Sequence, residues 1–209
     1  MNPMDAQDIV VTLGTLGVIA ALFIETGLLL GLLLPGDSLL FVAGLAASGT
    51  AREILGDQLS YAQLLICAPI AATAGSQFGY WLGAKFGKDY LIRPDSRFFN
   101  LNHIDQAEQW LMKYGFGKAL ILSHFVPFIR TLLNPLCGIM GIPARKFLIW
   151  NIVGSCIWTI GIISLGFFLG ERLHESIHKF LLPLVFTIVL ISLLPIFKEI
   201  FLRKTKSNV

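Results

Sequence analysis

Charge is what this chain has little of. Only 14% of its 209 residues are Asp, Glu, Lys or Arg, against about 25% in an average soluble domain. With 55% hydrophobic residues, 16 Phe and a mean hydropathy of +0.73, the apolar excess is too large for a single packed core and has to face lipid. The composition is that of an integral membrane protein, and no nucleic-acid partner is expected. Cysteine is scarce as well. Cys67, Cys137 and Cys156 each sit in an apolar stretch with no CxxC spacing and no neighbouring ligand cluster, so they read as small buried side chains rather than disulfides or thiolate ligands. The start, "MNPMDAQDIVV", lacks Lys and Arg ahead of its apolar run and shows no small-residue cleavage pattern. A cleaved secretory signal is therefore not expected.

Five apolar blocks follow, at about 9–49, 62–86, 117–142, 147–170 and 178–202. The first is about 40 residues long, twice the ~20 that one span needs, and it breaks at Pro35-Gly36. The third, "LILSHFVPFIRTLLNPLCGIMGIP", is interrupted at Pro127, Arg130, Asn134-Pro135, Gly138 and Gly141. Proline removes a backbone donor and clashes with the preceding turn, so neither block is expected to be one straight helix.

Basic residues indicate how the broken blocks run. If the tail "FLRKTKSNV" is cytoplasmic and block 117–142 dips in and returns, the polar stretch 85–118, with the loop at about 87–116 at its centre, is cytoplasmic too. Twelve Lys and Arg then lie inside, against Arg52, Arg172 and Lys179 outside, with Arg130 in the membrane. This asymmetry favours a re-entrant hairpin over a full crossing. The same logic makes Pro35-Gly36 the tip of a second hairpin that enters from the opposite face. The expected fold is thus an all-α, multi-pass membrane domain spanning 1–209. It combines transmembrane helices with two oppositely oriented re-entrant helical hairpins, at about 25–49 and 117–142, with Pro35, Gly36, Pro127, Asn134 and Pro135 at their tips. Each broken block precedes a Gly-rich span, "AGSQFGYWLGAKFG" or "VGSCIWTIGIISLGFFLG". Small residues let helices approach closely, and the arrangement suggests an inverted repeat of the kind found in secondary transporters.

Four polar side chains stand out in this apolar setting. Glu25 lies in a run otherwise almost wholly apolar from Val18 to Leu34, where an ionised carboxylate is costly and is normally paired, wetted or protonated. Asp37 follows Pro-Gly, so it can cap the returning half-helix as well as serve function. Arg130 is the natural counter-charge. Its fork of donors suits a carboxylate or a phosphate, either as a permanent salt bridge between hairpins or as a head-group binder. His124 titrates near neutral pH in its ordinary state, which suits a proton-linked step, though a hydrogen-bonded core histidine fits equally. His174 and His178, spaced i, i+4, lack a third ligand in an exposed-looking polar connection, so no metal site and no cofactor are expected. The segment "DSRFFNLNHIDQAEQWLMKYG" reads as an amphipathic surface helix with Phe98, Phe99, Trp110 and Leu111 towards the interface.

Taken in order, "FIETGLLLGLLLPGDSLLFVAG", "GSQFGYWLGAKFG" and "FVPFIRTLLNPLCGIMGI" resemble the motifs of the DedA family of bacterial membrane proteins, whose shared domain is also called the SNARE-associated or VTT domain. The likeness runs from about Val18 to Gly170. It implies two opposed re-entrant hairpins carrying acids and a basic pair. It also implies a role in moving lipids such as undecaprenyl phosphate or phosphatidylethanolamine across the bacterial inner membrane, driven or gated by the proton motive force. Glu25 and Asp37 match the family's acids and Arg130 its second arginine. The first arginine, usually in a Gly-Arg-Phe context, is here replaced by Ser123-His124-Phe125, which leaves one permanent charge fewer.

The expected activity is translocation of a phosphate-bearing lipid. Arg130, helped by His124, would attract the phosphate, while Glu25 and Asp37 exchange protons. A proton-coupled antiporter of small ions or drugs would use the same acids, and a scaffold or assembly factor would tolerate their loss. An enzyme is not expected, because the sequence offers one membrane arginine and no positioned nucleophile with its base. A homo-oligomer is left open.

Overall fold

In a computed structural model, residues 6–28, 36–49, 59–87 and 101–172 are described, and these form seven helices and no strand. They are α1 (Ala6–Gly27), α2 (Gly36–Ala46), α3 (Tyr61–Phe86), α4 (Leu101–Tyr114), α5 (Phe116–Ser123), α6 (Pro127–Ile139) and α7 (Ala144–Arg172). The expected final span at 178–202, the tail, His174 and His178, and Pro35, Phe98 and Phe99 lie outside the described residues. At 29 residues, α7 is about 43 Å long at 1.5 Å per residue. By length and composition it can cross a bilayer core of about 30 Å.

The long first block is indeed broken, with α1 ending at Gly27 and α2 beginning at Gly36. The 117–142 block is broken as well, but not where the sequence suggested. Asn134 and Pro135, expected at a hairpin tip, lie inside α6. The fold falls earlier, where His124, Phe125 and Val126 donate to the carbonyls three residues before them at 3.1–3.2 Å. Val126 is extended at φ −120°, as a residue before proline must be, and Pro127 opens α6 at a position that needs no N–H. The helix ends with Gly141 at φ +71°. Ile142 N–H there reaches the Cys137 carbonyl and Gly141 N–H that of Gly138, both at 3.1 Å. This closing pattern, followed by Pro143, satisfies carbonyls that the last turn would otherwise orphan.

The described residues pack as two compact units. One unit takes in 6–14, 36–49, 59–64 and 162–172. In it α2 lies on the C-terminal part of α7. A Cβ at Gly44 would overlap the Ile163 backbone, and one at Gly166 would overlap the Phe41 carbonyl, so the helices touch backbone to backbone. Tyr61 stacks on Phe167 at 4.0 Å and shares a 3.0 Å hydrogen bond with Ser164. Gly49 N–H donates to the Glu171 carboxylate.

The other unit takes in 15–28, 65–87 and 101–161. Its apolar centre is Tyr80, Leu120, Leu133, Leu136, Cys137 and Phe147, all buried. Here α6 lies on α3, with Gly83 against Pro135 and Gly138 against the Tyr80 carbonyl. Helices α5 and α6 double back on each other. Phe116, which opens α5, sits under Lys146 at 4.8 Å, and Ile142, beyond α6, accepts from Tyr80 Oη at 2.5 Å. The fold between them reaches Gly154, about 15 Å further along α7 than its start. Trp110 and Leu111 of α4 are partly buried against this apolar centre, and Trp110 Nε1–H donates to the Ala119 carbonyl at 3.0 Å.

Candidate functional site

Polar side chains rarely sit fully inside an apolar helical unit, yet this unit buries a group of them beside the α5–α6 fold. Glu25 is 2% exposed, and Arg130, His124 and Asn134 are each 1% exposed. Arg130, in the first turns of α6, donates from Nη2 to the Glu25 carboxylate of α1. Its Nη1 donates to the His124 carbonyl at 3.2 Å, and its guanidinium carbon lies 4.0 Å from the centre of the Trp158 ring on α7. An ion pair this deep is tolerated because each charge compensates the other, and Nη1 has the His124 carbonyl as its acceptor. One turn on, Asn134 Nδ2 donates to the Thr26 carbonyl at 3.1 Å, serving the last turn of α1, where carbonyls run out of helical partners. Thr26 Oγ1 in turn donates to Leu22 O at 2.8 Å and Ala72 O at 3.2 Å, which fastens α1 to α3. The close seat of α1 depends on Gly75, where a Cβ would come 2.6 Å from the Phe23 carbonyl.

Glu25, Arg130, His124 and Asn134 are therefore brought together. Asp37 belongs to the other unit, where it is half-buried in the first turn of α2. Since α2 already starts at Gly36, Asp37 lies within the first turn rather than before it, where a carboxylate still faces the positive end of the helix. Pro127 opens α6 and Pro135 runs through its middle. Proline is accepted inside such a helix when neighbouring groups re-satisfy the freed backbone.

Sequence reasoning missed Thr26, Asn151, Ser155 and Trp158. The signal was present: Asn151, Ser155 and Trp158 fall at i, i+4 and i+7, one face of α7, in a helix otherwise rich in Ile, Phe and Leu. An open apolar groove of about 630 Å³ runs elsewhere on the same unit. It lies between α1 and α3, is lined by Leu16, Ala20, Phe23 and Ile24 on one side and Cys67 and Ile70 on the other, and has Ala71 and Ala74 further along it.

The family model described as the VTT domain matches residues 11–168. The chain belongs to the VTT-domain, or DedA, family. It is 34% identical to Protein DedA of Escherichia coli strain K12 over 183 residues, 88% of this chain and 80% of that protein. It is likewise 34% identical over 179 residues to an uncharacterized membrane protein, MT0380, of Mycobacterium tuberculosis, covering 86% of this chain and 75% of the relative. The inner membrane protein YqjA of E. coli K12 is 30% identical over 151 residues, covering 72% and 64% respectively. No solved structure matches. Family membership makes this a membrane protein. Glu25, the Arg130 hairpin and the Gly-rich α3 all fall inside the matched residues.

Proposed function

We propose that this DedA-family chain is a non-enzymatic lipid transporter of the bacterial inner membrane. It moves a phosphate-bearing lipid, undecaprenyl phosphate or a phospholipid such as phosphatidylethanolamine, and is coupled to the proton motive force. The observation that carries this is the buried Glu25–Arg130 pair. A guanidinium held by a carboxylate can exchange that carboxylate for a lipid phosphate, since both fit its fork of donors. A proton on Glu25 weakens the pair and frees Arg130 for the phosphate. A proton leaving Glu25 restores the pair and expels it. Asp37 is the second acid of the cycle.

The apolar groove between α1 and α3 favours an amphipathic substrate over a small ion, because it offers hydrocarbon a seat on the helix that carries Glu25. In this proposal α5 and α6 form a re-entrant hairpin, and residues 25–49 form a second one of opposite orientation. The crossed packing supports such an inverted repeat, since α2 rests on glycines of α7 and α6 on glycines of α3. Each folded-back helix thus leans on the Gly-rich helix of the other half of the sequence. Lys85, Lys113, Lys118, Arg145 and Lys146 cluster where α3 and α4 end and α5 and α7 begin. Lys85 lies over Trp81 at 4.8 Å and Lys113 over Tyr114 at 5.1 Å. That end is cytoplasmic by the charge rule, and so is the C-terminus.

The test is reconstitution. Purified protein in liposomes should speed the crossing of a fluorescent or enzyme-accessible phospholipid or undecaprenyl phosphate, with a dependence on an imposed pH gradient. Glu25→Gln and Arg130→Ala, still folded and inserted, should abolish the effect. Lipid that stays put in wild type under every gradient would sink the proposal.

A further inference from the structure

We propose that His124 is a positioning residue for Arg130: with its ring neutral and latched to α7, it sets the direction of the guanidinium and does not itself bind the anionic ligand. This rests on Arg130 being the anion-binding group of the transporter proposed above.

Both ring nitrogens are already engaged. Nδ1 lies 2.9 Å from the Leu120 carbonyl, which can only accept, so Nδ1 carries a proton. Nε2 lies 3.2 Å from Ser155 Oγ, which is 3.3 Å from Asn151 Oδ1. The Asn151 amide is oriented by its Nδ2–H, which donates to the Thr73 carbonyl at 3.1 Å. The one Ser155 proton serves either Asn151 Oδ1 or Nε2; because a second cation buried against Arg130 would be costly, it goes to Nε2, which leaves the ring neutral with both nitrogens satisfied by protein. No ring nitrogen is left for a phosphate.

The ring also needs Gly154, where a Cβ would come 2.6 Å from Nδ1 and 2.8 Å from Cε1. A side chain so enclosed holds its own backbone still, and what His124 presents to Arg130 is that backbone. Its carbonyl accepts from Nη1 at 3.2 Å. The charged groups near the ring are Arg130 on α6 and, through it, Glu25 on α1. From α7 the ring meets Ser155 and, at 6.3 Å between ring centres, Trp158. The chain of contacts thus runs from α7 through the ring to the fold between α5 and α6, and from that fold to the guanidinium. When a lipid phosphate takes the place of Glu25, the His124 carbonyl and the Trp158 face are the contacts that keep the fork aimed.

The experiment uses the full chain in nanodiscs, labelled with 5-fluorotryptophan. Four tryptophans give four fluorine resonances, and Trp158→Phe assigns the one beneath Arg130. His124→Ala, Ser155→Ala and Gly154→Ala should each move that resonance, as Arg130→Lys does in a control. Each should also slow lipid transport on the order of tenfold or more. His124→Gln cannot titrate but can accept from Ser155, so it should restore most of what His124→Ala loses and keep the wild-type dependence of transport on pH. Ser155→Ala, which leaves the histidine in place, carries the test where His124→Ala fails to fold. A Trp158 resonance unmoved in Ser155→Ala and His124→Ala overturns the latch. A pH profile shifted in His124→Gln overturns the neutral role and makes the ring a proton carrier. If the resonance responds as expected while wild type moves no lipid, the latch stands and the transport proposal falls.

Discussion

The guanidinium of Arg130 lies 4.0 Å from the centre of the Trp158 ring while its Nη2 donates to Glu25. One arginine thereby ties three helices together at a point where Arg130 is 1% and Glu25 2% exposed. A desolvated cation over an indole face is worth about 2 kcal/mol or more. Removing one member of a buried ion pair costs about 3–5 kcal/mol, because the partner is left uncompensated. Arg130→Ala and Glu25→Ala should each lower the unfolding midpoint in detergent sharply. The double variant Glu25→Gln/Arg130→Gln should recover part of that loss, since no unpaired charge remains. If the double variant is as unstable as the two losses added together, the pair makes no coupled contribution.

A second expectation concerns backbone approach. Gly138 and Gly83 on the α3–α6 contact, and Gly44 and Gly166 on the α2–α7 contact, have a neighbouring carbonyl or backbone where a Cβ would go. Alanine at any of them should force the helices apart and reduce the yield of monodisperse protein. Alanine at Gly17 or Gly161, which have nothing within 4 Å, should be neutral or slightly stabilising, by up to about 1 kcal/mol. Size-exclusion profiles and unfolding midpoints of the six variants separate packing from glycine content.

Breaks in the apolar blocks were legible in the sequence because proline and glycine act locally: the gap between α1 and α2, and the doubling back of α5 on α6, follow from chemistry within a few residues. Glu25 and Arg130 were legible because a charge in hydrocarbon has few explanations. The position of the second fold was not legible. Pro135 looked like a tip, but tertiary contact with Gly83 lets α6 run through it, and the turn falls at His124–Val126. The partner of Arg130 could not be chosen between Glu25 and Asp37, because that depends on which helices meet. Trp158 and Ser155 went unnoticed because each is an ordinary residue of a membrane helix until a charge or a ring is placed beside it.

Groove shape makes a separate prediction. Ala71 and Ala74 line the channel between α1 and α3 beside Leu16, Phe23 and Cys67. Ala74→Phe should fill space that hydrocarbon would occupy while leaving the Glu25–Arg130 pair untouched. Transport of a long-chain lipid should fall severalfold, and that of a short-chain analogue with the same head group should fall less. Equal effects on both chain lengths would mean that the groove takes no part. A lone thiol at Cys67, with Cys137 and Cys156 replaced by Ala, offers a second check, because bound lipid should slow its reaction with a membrane-permeant maleimide.

Orientation is open to direct measurement. Lys85 at the end of α3, Lys118 in α5 and Lys146 in α7 lie at the basic end of their unit, and Lys146 rests over Phe116. Lys and Arg stay on the cytoplasmic side because moving them outward against the membrane potential costs about 2.3 kcal/mol per charge per 100 mV. In a cysteine-free background, Lys85→Cys, Lys118→Cys and Lys146→Cys should all be silent to a membrane-impermeant maleimide applied to intact spheroplasts, and all should react once the membrane is opened. Agreement between Lys118→Cys and Lys146→Cys is the critical part. Those two positions bracket α5, its fold and α6, so matching behaviour means that the chain enters and leaves the membrane by the same face. Labelling of one but not the other in intact spheroplasts would turn the hairpin into a full crossing and would place Arg130 on a spanning helix instead of in a re-entrant hairpin.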